Sequence, residues 1–293
     1  NRAVTDVFEP GSTMKPFTIA AALESGKWNP MDNVHTSPGY YRVQGNEIKD
    51  MRDYGKINLG EIILKSSNVG VSKVALSLEQ ETQLDMYIRL GFGVNTGSGF
   101  PGERNGNLSS QSFSDFERAT MAFGYSLAVT PLQLARAYAA IANGGKVYPV
   151  SFLRQDGEVQ GETVMSADTA RKVRRMMERV VSAEGTAKKA MIANYKVAGK
   201  TGTVHKFISG GYADDRYLSV FAGMAPASDP QLVMVVMLNE PRNGEYFGGQ
   251  VAAPVFAKVM SGALRLLDIQ PDNLQYVRRP TNINASASKG KSA

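Results

Sequence analysis

Along the chain, apolar positions first recur at helical spacing and later run together, and that change of pattern divides the chain in two. After the turn Glu9-Pro10-Gly11, the segment from Ser12 to about Leu23 reads as a helix, with Gly26 placed to end it. Helices also read over 58–65 and 69–79, the second with Val71, Val74, Ala75 and Leu78 on one face. The polar break Ser66-Ser67-Asn68 lies between them. A further helix covers 83–90, and 93–112 is a loop rich in Gly, Ser and Asn. Thr130-Pro131 starts a helix that runs to Ala142 and is closed by Gly144. Ser166 caps a long helix ending near Gly185.

Strand patterns then take over, at 195–204, 217–225 and 231–239. Every position from Leu232 to Leu238 is apolar, which suits a strand covered on both faces and paired on both edges. The short connection Ala227-Ser228-Asp229-Pro230 predicts an antiparallel hairpin. A helix from Val251 to Leu267 follows, with Phe256, Met260 and Leu264 at helical spacing. Helices segregated from an antiparallel sheet predict an α+β fold. The reading is one domain over 1–270 and a polar, disordered tail over 271–293.

Composition narrows the chemistry. With 43% hydrophobic and 20% charged residues the chain is ordinary for a globular domain. The absence of cysteine excludes disulfides, thiol catalysis and thiolate metal sites. His35 and His205 are the only histidines, so the expectation is no metal and no cofactor. The net charge of +6 is half carried by the tail, where Arg278, Arg279, Lys289 and Lys291 face only Asp272. The rest has no basic stripe interleaved with aromatics, so nucleic acid is not an expected partner. No stretch approaches the roughly 20 apolar residues of a membrane span.

Hydroxyls, lysines and amides remain. In Ser12-Thr13-Met14-Lys15, a serine opening a helix has a lysine one turn on, on the same face. A lysine can serve as the hydroxyl's base if burial and the helix dipole lower its pKa. Alone the pattern is weak, since Ser286…Lys289 and Ser288…Lys291 match it in the tail. Ser66-Ser67-Asn68 offers a hydroxyl to relay a proton and an amide to orient substrate or lysine; its plain alternative is a polar interhelix loop. Lys200-Thr201-Gly202-Thr203 lies on a predicted edge strand, where glycine permits close backbone approach and free amides can pair with a peptide. Lys200 would attract a carboxylate; its plain alternative is a solvated lysine beside a turn.

The three patterns occur in order at domain-scale spacing, a combination found in penicillin-binding proteins and class A β-lactamases. Here the sequence resembles the class B penicillin-binding proteins, the septal peptidoglycan D,D-transpeptidases of Gram-negative bacteria. The likeness reaches from Phe8-Glu9-Pro10-Gly11-Ser12 through Lys65-Ser66-Ser67-Asn68, Val129-Thr130-Pro131 and Gly199-Lys200-Thr201-Gly202-Thr203 to the block Tyr246–Phe256. It departs at Ser126, where the family usually has glycine, and at His205, where Arg or Lys is commoner.

The resemblance implies the penicillin-binding protein/serine β-lactamase-like transpeptidase fold, an antiparallel sheet packed with helices plus a helical subdomain. It implies Ser12 as nucleophile, Lys15 as a neutral base reaching both Ser12 and Ser66, and Ser66 and Asn68 as relay and holder. Lys200, Thr201, Gly202 and Thr203 would bind substrate, with the Ser12 and Thr203 amides as oxyanion hole and Tyr217, Tyr246 and Phe247 as an aromatic wall. Implied partners are peptidoglycan stem peptides, β-lactam antibiotics, and cell-division and glycan-polymerising membrane proteins. The implied location is the periplasmic face of the inner membrane, through a single-pass anchor upstream of this chain. Two sheet strands would also lie upstream, since only eleven residues precede Ser12. A D,D-carboxypeptidase, a serine β-lactamase and a silent penicillin sensor share much of this motif set. Against the β-lactamases, no class A Glu-x-x-Leu-Asn segment is present, and Ser66-x-Asn68 departs from the class D Ser-x-Val.

Overall fold

The computed structural model describes residues 1–108, 113–208, 211–242 and 244–274. A short helix α1 (Arg2–Thr5) precedes a 3₁₀ turn over Gly11–Met14, which continues directly into α2 (Lys15–Glu24). The helix predicted from Ser12 is present, with its first turn wound more tightly. Two small antiparallel pairs follow: β1 (Asn33–His35) with β4 (Lys56–Asn58), and β2 (Tyr40–Val43) with β3 (Asn46–Lys49). The β2–β3 turn rests on Gln44 and Gly45, with φ of 49° and 82°, the positive pair a primed turn requires. The sequence pattern predicts none of these strands. They are short and mixed in polarity, and Gln-Gly is not among the pairs that mark a hairpin.

Helix starts are where side chains replace missing backbone partners. Asn58 and Glu61 form a capping box on α3 (Leu59–Lys65), and Ser67 caps α4 (Asn68–Ser77). After α5 (Gln80–Arg89), Ser114 with Glu117 opens α6 (Asp115–Met121). Thr130 with Gln133 opens α7 (Pro131–Ala142). Such caps typically stabilise by about 1 kcal/mol each. The pair β5 (Lys146–Val147) and β6 (Glu162–Thr163) leads to α8 (Ala167–Val180), which ends short of Gly185.

The main sheet comprises β7 (Ala198–Ile208), β8 (Gly211–Ala225) and β9 (Leu232–Asn239), antiparallel in that order. Thr203 stands opposite Ser219, and Ala225 opposite Leu232. On one face lies α9 (Gly248–Leu266), where Phe221 meets Phe256 edge-on at 4.7 Å; α7 and α8 pack against the sheet as well. The Lys200–Thr203 segment is on an edge strand, as expected. The apolar run 232–238 is not central: β8 is the middle strand. The side chains of β9 are half-buried, and its outer edge pairs with no strand among the described residues.

The ordered body also passes the expected boundary at 270. Asp272 accepts from the Lys196 and Ser228 amides at 2.7 and 3.0 Å and from the Ser228 hydroxyl at 2.7 Å. The expected tail from 275 onward lies outside the described residues.

Gly124 fixes the turn that carries Ser12. Its φ is 86°, its carbonyl accepts from Gly11 N–H at 3.1 Å, and a Cβ on it would fall 2.1 Å from the Gly11 oxygen. Gly124→Ala is therefore expected to destabilise by about 3 kcal/mol, left-handed strain and overpacking together. Chemical denaturation measures this, and a change under about 0.5 kcal/mol, the size of an ordinary surface substitution, would contradict it.

Candidate active site

Three pieces of chain converge on one point. The 3₁₀ turn brings Ser12 and Lys15 to the same side, because positions three apart eclipse in that helix. Strand β7 packs backbone-on-backbone against this turn: a Cβ on Gly202 would lie 2.9 Å from the Pro10 oxygen and 3.1 Å from Thr13 Cγ2. Between α3 and α4, Ser66 adopts left-handed φ 59° and ψ 38°, a strained state for serine that turns its hydroxyl and carbonyl toward Lys15.

Lys15 and Lys200 are both fully buried. Lys15 Nζ lies 2.5 Å from the Ser66 carbonyl oxygen, 3.1 Å from Ser66 Oγ and 2.8 Å from Asn68 Oδ1. Lys200 Nζ lies 2.9 Å from the same Ser66 Oγ and donates to the Thr201 carbonyl at 3.2 Å. One hydroxyl thus bridges two amines. Burial drives Lys15 well below the ordinary lysine range; the neighbouring Lys200 pushes the same way, and Asp50 opposes. Burial brings Lys200 down to about 7. With one amine neutral and the other charged, Ser66 can accept a proton on one side and donate on the other.

Ser12, Ser66, Asn68, Thr201, Thr203 and Phe247 line a common cleft of about 430 Å³. Ser12 Oγ is hydrogen-bonded to neither Lys15 nor Ser66, contrary to expectation. Lys15 Nζ is already engaged by Ser66 and Asn68, and nucleophile–base contacts of this kind often tighten only with substrate bound. The Thr201 hydroxyl pairs with that of Thr186 at 3.1 Å, and Thr203 Oγ1 accepts from Gly248 N–H at 2.9 Å. The Thr203 amide faces the Ser12 turn, 4.0 Å from where a Gly11 Cβ would stand.

The aromatic residues lead outward from the cleft. Phe247 lines the cleft, whereas Tyr217 and Tyr246, stacked at 4.0 Å and 11°, line an adjoining cavity of about 380 Å³ with Arg216, Glu240 and Arg242. Phe247 in turn lies against Tyr246, ring centroids 4.5 Å apart, so the three rings form one run that begins at the cleft. His205 tilts over Tyr217 at 4.7 Å and is exposed. Ser126 has φ 62°, the conformation the family's glycine takes without strain, with its amide on Glu9 at 3.1 Å.

Sequence reading missed Asp50, Met51, Tyr54 and Thr186, which stand in no motif, and Lys65 and Gln250, which stand in the Lys65–Asn68 and Tyr246–Phe256 blocks. Among the described residues no cluster of His, Asp and Glu could hold a metal ion.

A sequence model of the penicillin binding protein transpeptidase domain matches residues 1–261. The chain is 46% identical over 275 residues to the peptidoglycan D,D-transpeptidase FtsI of Escherichia coli, covering 94% of this chain and 46% of that one. It is 40% identical over 276 residues to FtsI of Buchnera aphidicola, covering 94% and 48%. The structure superimposes on the apo TP domain of Burkholderia pseudomallei penicillin-binding protein 3 with TM-score 0.89 and 41% identity, over 93% of this chain and 83% of that one. The chain spans about half the length of these curated relatives.

The two lysines predict a two-limbed pH profile. Acylation of Ser12 rises as Lys15 loses its proton, on a limb well below the ordinary lysine range. Lys200 carries charge below about pH 7 and loses it above, so attraction of a carboxylate falls there. A penicillin should show both limbs and an uncharged thioester only the first. A rate flat with pH for both reagents would contradict this assignment.

Proposed function

We propose, since the chain belongs to the penicillin binding protein transpeptidase domain family, that it cross-links peptidoglycan stem peptides through a Ser12 acyl-enzyme during septal cell-wall synthesis. The observation that carries the reading is the Ser66 hydroxyl bridging two buried lysines in the cleft that holds Ser12. Ser12 Oγ attacks the carbonyl between two terminal D-alanines, and neutral Lys15 takes the hydroxyl proton. The Ser12 and Thr203 amides receive the oxyanion, at a few kcal/mol per donor. Ser66, recharged from Lys200, passes a proton to the departing D-alanine amine, while Lys200 and the Thr201 and Thr203 hydroxyls hold its carboxylate. An amine of a second stem peptide then takes the acyl group, giving up a proton to Ser66 and Lys200, and Ser12 leaves with the proton held on Lys15. Penicillins acylate Ser12 in place of the donor peptide.

The place of action is the periplasmic face of a bacterial inner membrane, held by a segment upstream of this chain and beside cell-division and glycan-polymerising proteins. Among the described residues no helix is long and apolar enough to cross a membrane. The same upstream region supplies strands to the edge of β9 that pairs with no strand among the described residues; an apolar strand with an open edge invites aggregation.

Ser12→Ala should fold as the wild type does and lose all covalent labelling by fluorescent penicillin, read by gel and intact mass. A mutant that still labels removes Ser12 from the mechanism. In a longer chain bearing the upstream region, amides of residues 232–238 should exchange more slowly than in this chain. Equal exchange would leave the edge without the proposed strands.

A further inference from the structure

The residue that fastens the base is one that no motif contains. Asp50 follows β3, and its backbone amide is tied to the Gly39 carbonyl at 2.9 Å. Its Oδ1 accepts from the backbone amides of Asn68 and Val69 at 2.5 and 3.0 Å, and its Oδ2 from the Ser67 hydroxyl at 2.6 Å. A carboxylate there satisfies open amides at the start of α4 and complements the helix dipole. The preceding carbonyl, of Lys49, accepts from Asn68 Nδ2 at 3.0 Å, which leaves Asn68 Oδ1 facing Lys15 at 2.8 Å. The end of β3 and the start of α4 are thereby stitched together, and the stitch aims Asn68.

We infer that Asp50 is a positioning residue for this site: its carboxylate fixes the start of α4 and through it the Asn68 amide against Lys15. The inference rests on the acyl-enzyme reading above. Asp50 is outside the residues that line the cleft, so it acts through Asn68 and not on substrate. It also acts through space. The charges around Lys15 are Lys200 from β7, which disfavours its ammonium form, and Asp50, which favours it. Near Asp50 stand Arg52 and Tyr54, and its negative charge helps hold the Tyr54 phenol above its ordinary range.

The test compares acylation of Ser12 by fluorescent penicillin, across pH, in the wild type, Asp50→Asn and Asp50→Glu. The asparagine keeps an oxygen for the two amides and loses the charge. Its plateau rate should fall about 10- to 100-fold, the scale of a misplaced catalytic group. Its rising limb should also move to lower pH, because the charge that favours protonated Lys15 is gone. Glutamate should return the limb toward its wild-type position without restoring the plateau. A carboxylate that served only the fold would lower the melting temperature and leave plateau and limb of the folded protein unchanged, and that result overturns the inference. Should Asp50→Asn fail to fold, Ser67→Ala cuts one bond to the carboxylate together with the cap on Gly70 N–H, and leaves the charge. It must then lower the plateau with the limb in place, and an unchanged plateau overturns the inference. Absence of any Ser12 adduct in the wild type would instead sink the acyl-enzyme reading itself.

Discussion

Two amino groups buried against one hydroxyl set the terms for the rest of the molecule. Charge on both lysines at once would cost several kcal/mol for each ion taken from water, and the structure answers by making one of them give up its proton easily. Lys15 begins α2, where the helix's own positive end adds to that pressure. Ser66 is 51 residues from Lys15 and 134 from Lys200 along the chain. The site therefore exists only once the sheet has docked on the helical region, and each of the three pieces contributes a residue that the others cannot replace.

What lies behind the turn is as fixed as what lies before it is open. Phe17 packs edge-on against Phe92 and Tyr138, and the Tyr138 hydroxyl donates to the Thr13 carbonyl at 2.9 Å. Thr18 and Tyr87 bond at 2.6 Å in the same fully buried layer. A nucleophile gains from such backing, because a serine that needs to meet a carbonyl at about 3 Å cannot be carried on a mobile turn. The free side of β7, by contrast, pairs with no strand among the described residues, an edge suited to receiving an extended peptide by strand addition. Rigidity at the rear and vacancy at the edge are two halves of one arrangement.

The sequence carried the helices and the main strands because each has a local cause: Thr130-Pro131 caps and starts α7, and the runs at 217–225 and 231–239 are apolar enough to be strands anywhere. It carried Ser12, Lys15, Ser66, Asn68 and Lys200 because their spacing forms a recognisable set. What it did not carry is fixed by tertiary contact. The β2–β3 hairpin depends on a Gln44-Gly45 turn with no strong signal, and Asp50 derives its place from that hairpin. The stacking of Tyr217 on Tyr246 joins two distant segments and is encoded by no spacing. An apolar run reports covered faces and says nothing by itself of how many edges are paired, and among the described residues β9 pairs only with β8.

The same cleft bears on what becomes of an acyl group once formed. Hydrolysis of an acyl-serine needs a water and a base to activate it, and the residues lining the cleft include no aspartate or glutamate. The carboxylate that comes nearest through the network, Asp50, is occupied by two amides and a hydroxyl. In the proposed mechanism Lys15, having taken the serine proton, must return it before it can act again. Under the proposed mechanism water finds no carboxylate base here, while a neutral amine is the stronger nucleophile and can pass its proton into the lysine–serine relay. That reading favours an ester that waits for an amine over one that is quickly hydrolysed. A strained β-lactam that leaves no departing group would meet the same wait.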